Sequence, residues 1–359
     1  MPSPPFQLAV FSTKSYDRSY LDTTLNAHPT LSNTISITYH AFPLSLETAP
    51  LAASHTAVCA FVNDTLDGPV LHTLHKGGTR AILLRCAGFN NVDLVVAEEL
   101  GLFVANVPSY SPEAVAEFTI ALLQTLNRNI HKAYNRVREG NFNLEGFLGM
   151  TLHGKTVGVV GVGRIGLALA RIVRGFGCRL LAADPKPAIS VEEFKNEYGG
   201  EIVELRTLLA ESDVVSLHCP LTAGTRHIID AENLGYMKRG ALLVNTSRGP
   251  LVNTKAAIEA LKSGQLGGLA LDVYEEEGAY FYNDHSAEII HDDTLMRLMT
   301  FPNVLVCGHQ AFFTREALTE IAGTVLSNLE DWMGGRHCAN SLVREGHLVA
   351  PEGKEPVRI

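Results

Sequence analysis

Lys155-Thr156-Val157-Gly158-Val159-Val160-Gly161-Val162-Gly163-Arg164-Ile165-Gly166 is an apolar strand that empties into three glycines at a fixed spacing. Helical periodicity follows, with Ile165, Leu167, Leu169, Ala170, Ile172 and Val173 apolar, and a second apolar run, Leu180-Leu181-Ala182-Ala183, ends on Asp184. Gly161 permits a tight turn, Gly163 lets the backbone approach a pyrophosphate, and Gly166 lets the helix pack close to the strand. The helix N-terminus offers unpartnered N–H groups to phosphates. Asp184, roughly 20 residues on, is placed to accept hydrogen bonds from an adenosine ribose 2′-OH. Three glycines alone would be a weak signal. The strand before, the helix after and the acid at the next strand end make the reading a dinucleotide site. A carboxylate there repels a 2′-phosphate, which points to NAD over NADP, although Arg164 and Lys186 nearby leave some NADPH use open.

A chain of 359 residues is longer than one core usually takes, so two domains are expected. Its 46% hydrophobic and 19% charged residues are those of a globular enzyme. The net charge of -9 argues against a nucleic-acid or anionic-membrane partner. No apolar run approaches the length of a membrane span, and the N-terminus lacks a basic segment followed by an apolar core. The six cysteines are scattered and form no CxxC pair. That usage fits buried thiols in a reducing cytoplasm rather than disulfides or zinc ligands.

Strand patterns alternate with helical ones almost throughout, as in parallel α/β sheets. Strands are predicted at 7–11, 35–39, 57–61, 81–85 and 103–107, enough for a complete α/β unit ahead of the glycine turn. Further strands are predicted at 180–183, 213–217, 242–245, 268–271 and 304–306. Ser111-Pro112-Glu113 opens a helix that should run to about Arg128. Residues 131–151 carry poorly periodic aromatics and read as an arm for self-association into a homodimer or homotetramer. Thr314 to Trp332 is helical, with Leu318, Ile321, Val325, Leu329 and Trp332 in register. Residues 344–359 are polar, contain Pro351 and Pro356, and read as a disordered tail.

Three segments after the glycine turn place reactive side chains at strand ends. Arg248 follows the apolar run ending at Asn245, Asp272 and Glu275-Glu276-Glu277 follow the next, and His309 follows Val304-Leu305-Val306. Ligands bind outside the carboxyl ends of parallel strands. An arginine can clamp a carboxylate through two hydrogen bonds, a histidine exchanges protons near neutral pH, and a carboxylate beside it stabilises imidazolium. Beside a nicotinamide this set suits hydride transfer to a carbonyl next to a carboxylate. Spacing does not decide which of the three glutamates meets His309. Asp284-His285 and His291-Asp292-Asp293 fit no zinc or calcium motif, so no metal site is expected. Asp64 and Asp67 read as loop acids.

These motifs, with His218-Cys219-Pro220-Leu221-Thr222, Arg85-Cys86-Ala87-Gly88-Phe89-Asn90-Asn91-Val92-Asp93 and Gly308-His309-Gln310-Ala311-Phe312-Phe313, resemble the D-2-hydroxyacid dehydrogenase family over nearly the whole chain. Within the family the pattern is most similar to the fermentative NAD-dependent D-lactate dehydrogenases. The acid five residues after Asp272 and the Phe-Phe pair after His309 carry that likeness.

The resemblance implies a Rossmann-type NAD domain, residues 111–308, inserted into a flavodoxin-like substrate domain, residues 1–110 and 309–343, with the active site in the cleft between them. It implies that Arg248 binds the substrate carboxylate, that His309 gives and takes the proton, and that Glu277 holds His309 protonated. Backbone N–H groups of Ala87 and Gly88 would also meet the carboxylate, and Tyr110 and Phe312 would border a small pocket. Gly161, Gly163, Arg164, Ile165, Gly166, Asp184, Cys219, Pro220, Thr225, Thr246, Ser247, Arg248, Asp272 and His309 match the cofactor-binding positions. The expected reaction is reversible reduction of pyruvate to D-lactate by NADH. The alternatives are a dehydrogenase for another 2-oxo acid, such as phenylpyruvate or glyoxylate, and an NAD-sensing corepressor-like interaction protein.

Overall fold

The computed structural model describes residues 6–344 and 347–348, which divide into two units, residues 6–111 with 313–348 and residues 112–312. The first begins with strands β1 (Phe6–Val10), β2 (Ile35–Tyr39), β3 (Ala57–Ala60), β4 (Ala81–Leu84) and β5 (Phe103–Ala105). They are hydrogen-bonded in parallel in the order β2-β1-β3-β4-β5, the flavodoxin-like order. β3 and β4 are buried along their whole length. A strand covered on both faces has no polar side to show, which is why both read as unbroken apolar runs.

The second unit holds β6 (Thr156–Val160), β7 (Arg179–Ala183), β8 (Gly200–Ile202), β9 (Val214–Leu217), β10 (Ala241–Asn245), β11 (Leu266–Leu271) and β12 (Val304–Val306). All pair in parallel in the order β8-β7-β6-β9-β10-β11-β12. Successive residues feed opposite cores. Leu181, Val215, Leu217, Leu243, Leu269 and Leu271 face one, while Leu180, Ala182, Val214, Leu242, Val244 and Ala270 face the other. The helix Pro112–Asn127 adds Ala116, Leu122, Leu123 and Leu126 to the second core. Strand order reverses between β6 and β9, so the exits of these two strands flank the topological switch point.

The chain then re-enters the first unit through the helix Arg315–Met333, capped by Thr314 Oγ1 accepting the Ala317 N–H. Leu318, Ile321, Val325 and Leu329 form its buried stripe. Here the structure departs from expectation in three places. The second unit keeps residues 309–312, because Asp272 binds the backbone of Gln310 and Ala311. The tail expected to be disordered from 344 begins as structure: β13 (Ser341–Arg344) runs antiparallel to β5 and pairs with β14 (His347–Leu348). The first sheet is therefore mixed at one edge, and the rest of the tail lies outside the described residues. The arm opens as a helix, Ile130–Arg138. Ile130, Tyr134 and Val137 recur at helical spacing on it, an apolar period that the aromatics further along obscured.

Candidate active site

The glycine turn is shaped by close approach. Gly161 has φ 101°, and a Cβ there would lie 2.6 Å from the backbone of His218 and Cys219 at the exit of β9. A Cβ on Gly166 would lie 2.1 Å from the Gly161 carbonyl oxygen. Any side chain at either position would part the two strand exits or push the helix Arg164–Gly175 off β6. Gly163 precedes that helix, whose first N–H groups open onto the turn. Asp184, at the end of β7, accepts the Val162 N–H at 2.8 Å through one carboxylate oxygen and the Lys186 N–H at 2.7 Å through the other. The same carboxylate that would meet a ribose thus ties the glycine turn to β7. Arg164 and Lys186 are exposed. A bare cradle at a switch point, a helix N-terminus and an acid on the neighbouring strand fit a dinucleotide.

The β9 exit supplies the opposite wall. His218 is buried, and burial lowers its pKa to about 3, so its ring is neutral; Nε2 shares a 2.8 Å hydrogen bond with Ser216 Oγ. The Cys219 thiol is pushed up to about 12 by burial and is inert as a nucleophile. Its carbonyl accepts Ser247 Oγ at 2.8 Å. Thr225 Oγ1 donates to the Pro220 carbonyl, folding that loop onto itself. Thr119 Oγ1 donates to Val115 O, so at the 2.8 Å contact between Thr246 and Thr119 the hydroxyl proton comes from Thr246.

At the exit of β10, Asn245 Nδ2 donates to the Arg248 carbonyl and Asn245 Oδ1 accepts the Ser247 N–H, which fixes the bend that presents Arg248. Gly249 packs on the chain leaving β11; a Cβ there would sit 2.0 Å from the Tyr274 carbonyl oxygen. Arg248 is half-buried, donates to the Ser247 carbonyl, and pairs with no carboxylate among the described residues.

His309 and Glu277 meet: His309 Nδ1 lies 2.7 Å from Glu277 Oε1. A carboxylate only accepts, so Nδ1 carries the proton and Nε2 is the nitrogen left for exchange. Glu277 Oε2 accepts the Tyr274 N–H. Glu275 is turned elsewhere, onto His227 and Thr254. His309 adopts left-handed backbone, φ 55°, uncommon for a residue with a side chain. The conformation is held by its N–H on the Asp272 carbonyl and by the Asp272 carboxylate, which accepts from Gln310 and Ala311 at 2.9 and 2.8 Å. Ala311 packs with Val115 and Ile165, which fastens the loop to the start of the nucleotide helix. Burial pushes the Asp272 carboxyl up to about 6. Tyr282 adds a hydroxyl to the His309 carbonyl at 3.2 Å and a ring 5.8 Å from the imidazole.

Sequence reasoning missed Tyr282, the role of Asp272 as a holder of the histidine loop, and Asp64. Asp64 is buried and accepts from Ser12 Oγ and the N–H groups of Leu44 and Phe61. Asp67 caps a helix through the Val70 N–H. Asp292 caps another and accepts the Tyr274 hydroxyl, and no group of metal-ligating side chains gathers among the described residues. In the first unit, Ala87 is buried, with its carbonyl on Asn106 Nδ2; Gly88 and Tyr110 are half-buried. Phe312, in the second unit, is buried.

The family described as D-isomer specific 2-hydroxyacid dehydrogenase, NAD binding domain, matches residues 120–311. Over 98% of this chain and all of the relative, the sequence is 73% identical to 2-hydroxyacid dehydrogenase A of Aspergillus oryzae. It is 61% identical to D-lactate dehydrogenase kk1H of Curvularia clavata, over 94% of this chain and 95% of that protein. The apo-structure of D-lactate dehydrogenase from Escherichia coli superposes with a TM-score of 0.84 at 50% identity, covering 94% of this chain and all of that one.

Proposed function

The chain belongs to the D-2-hydroxyacid dehydrogenase family, NAD-dependent oxidoreductases, and we propose that it interconverts pyruvate and D-lactate. The observation that carries the chemistry is the His309–Glu277 pair at the exits of β12 and β11, in the same unit as Arg248 and the glycine turn. The names of the Curvularia and Escherichia relatives support the choice of substrate.

Bound NADH supplies the hydride. Arg248 takes the substrate carboxylate in a bidentate grip that turns the neighbouring carbonyl toward the nicotinamide. His309 delivers the proton from Nε2 to the carbonyl oxygen, while Glu277 stabilises the imidazolium before transfer. In the reverse direction the neutral ring takes the proton from the hydroxyl. Phe312, in the same unit as Arg248, restricts the side-chain end of the pocket to a group the size of methyl. Gly161, Gly163, Arg164, Ile165 and Gly166 would cradle the pyrophosphate, Asp184 would take the ribose, and Cys219, Pro220, Thr225, Thr246, Ser247 and Asp272 would line the remainder.

NADH oxidation measured with pyruvate, phenylpyruvate and glyoxylate side by side tests the reading. A specificity constant highest for pyruvate supports it. A preference for phenylpyruvate would show that Phe312 does not limit the pocket.

Self-association belongs to the same proposal. Ile130, Tyr134, Phe142, Leu144 and Leu148 are exposed, and Ile130, Ala133, Tyr134 and Val137 line a groove with Gln124, Arg128 and Arg138. Such a contiguous apolar surface is typical of an interface. Light scattering that gives a monomer mass at micromolar concentration would count against it. No described helix is long and apolar enough to cross a membrane, and none of the six cysteines is in a disulfide. The thiols support the cytoplasm as its compartment.

A further inference from the structure

His227 and Glu275 form a hydrogen-bonded pair that the catalytic reading does not use. His227 Nε2 lies 2.5 Å from Glu275 Oε1. The other carboxylate oxygen accepts the Thr254 N–H at 3.1 Å and Thr254 Oγ1 at 2.8 Å. Both partners are mostly screened from water, with side-chain exposures of 30% and 17%. The remaining acceptor sites of Glu275 are thus spent on Thr254, at the start of the helix Thr254–Ser263, whose N-terminal dipole favours a carboxylate.

The pair encloses the loop that carries Arg248. His227 has φ 54°, and its N–H donates to the Pro250 carbonyl. Ile229 then bridges Val252 in parallel, with its N–H on Leu251 O and its carbonyl taking the Asn253 N–H. The segment 227–229 is therefore zipped to 250–253, directly behind Arg248 and Gly249. Gly249 in turn lies against the Tyr274 carbonyl with no room for a side chain. Glu275 follows Tyr274, and the Tyr274 N–H is held by Glu277, the partner of His309. One short stretch, Tyr274 to Glu277, thus touches the arginine loop on one side and the histidine on the other.

We propose that His227 and Glu275 are positioning residues, which lock the Arg248 loop to the strand exit that holds Glu277 and so set where the carboxylate clamp stands relative to the proton donor. The proposal rests on the roles given above to Arg248 and His309. Neither partner touches substrate. Their contribution is that Arg248 need not search for its orientation when the carboxylate arrives, an effect that appears in both substrate binding and turnover.

The test compares wild type with His227→Gln, Glu275→Gln, the double variant and Arg248→Ala, all as full-length protein. It reads kcat and KM for pyruvate, NADH dissociation by fluorescence, and Tm. Each single variant is expected to lower kcat/KM for pyruvate roughly 10- to 100-fold, since a charge-assisted hydrogen bond of this kind is lost, with NADH affinity within about twofold. The double variant should be no worse than the poorer single, because the pair acts as a unit. Replacing His227 with Lys, which keeps a donor for the Glu275 carboxylate, should recover part of the loss. A purely structural role would lower Tm without changing kcat/KM at a temperature where every variant is folded. That result, or losses that multiply in the double variant, would overturn the proposal. Should a single variant fail to fold, His227→Lys and Glu275→Asp carry the same comparison. If Arg248→Ala itself leaves pyruvate turnover intact, the reading of the active site fails instead, so the two failures are distinguishable.

Discussion

His309 Nδ1 stands 2.7 Å from Glu277 Oε1, and the other oxygen of the same carboxylate is anchored by the Tyr274 N–H. The acid therefore cannot swing away from the imidazole without breaking a backbone contact. Glu277→Gln keeps that shape and removes the charge that favours imidazolium. Pyruvate reduction, which needs the protonated ring, should then slow while NADH binding is kept. His309→Ala should keep NADH binding and lose about 100- to 10,000-fold in turnover, the usual range for general acid catalysis. Unchanged pyruvate turnover in Glu277→Gln, or less than a tenfold loss in His309→Ala, would remove the pair from proton transfer.

Arg248 has no acidic partner among the described residues, and its loop is shaped by Asn245 and Gly249 rather than by the guanidinium itself. Arg248→Ala should consequently fold and bind NADH normally. Its specificity constant for pyruvate should drop tenfold to a hundredfold or more, since a charge-assisted hydrogen bond contributes about 1.5–3 kcal/mol. Arg248→Lys should recover little, because an ammonium lacks the planar fork. Full rescue by Lys would be inconsistent with a bidentate clamp.

The readability of this site in the sequence followed the periodicity of its supports. Gly161, Asp184, Arg248 and His309 each sit just past an apolar run long enough to be seen as a strand, and the structure puts each at a strand exit. The short β8 (Gly-Glu-Ile) and the β13–β14 hairpin (Ser-Leu-Val-Arg and His-Leu) gave no such run, because polar residues interrupt them. His227 and Tyr282 were missed for a different reason. Their positions depend on left-handed backbone, φ 54° and 68°, which no residue type advertises when it is not glycine. The Glu275 and Glu277 assignments could not be separated by spacing, because the two carboxylates leave the same turn in different directions and only the partners on other loops distinguish them. The Asp272 carboxylate also holds the backbone of Gln310 and Ala311, a task that its place after an apolar run does not reveal.

That placement gives Asp272 a testable pH signature. Its carboxylate receives two N–H groups from the histidine loop, while burial pushes its pKa up to about 6. Above that pH both oxygens accept; below it one carries a proton and an acceptor is lost. Acid favours the imidazolium that reduction needs, so a fall in pyruvate turnover below about pH 6 points to a group other than His309. Asp272→Asn puts an amide donor against one N–H at every pH. It should lower kcat about 10- to 100-fold, as expected for an unsatisfied buried polar contact of about 1–3 kcal/mol, and flatten the acid limb. An acid limb unchanged in Asp272→Asn would assign it elsewhere.

Asp184 tests the cofactor end. Its oxygens hold the N–H groups of Val162 and Lys186 at 2.8 and 2.7 Å. Asp184→Ser removes charge and one or both backbone ties, so NADH should weaken through a slackened turn as well as through lost ribose contacts. Asp184→Asn keeps an acceptor for one of the two N–H groups and deletes the charge together with the other acceptor. NADPH should improve in both variants, because the 2′-phosphate no longer meets a carboxylate and the exposed Arg164 and Lys186 can approach it. The changes should fall mainly on the cofactor KM and little on turnover, since the adenosine end is remote from the reacting carbon. The deciding quantity is the NADH-to-NADPH ratio of specificity constants. A fall of about tenfold or more in Asp184→Asn is the signature of the lost charge, and the additional NADH loss in Asp184→Ser reports the further slackening of the turn. A ratio unchanged in both variants would mean that the Asp184 carboxylate serves the glycine turn alone and that cofactor preference is set by another residue.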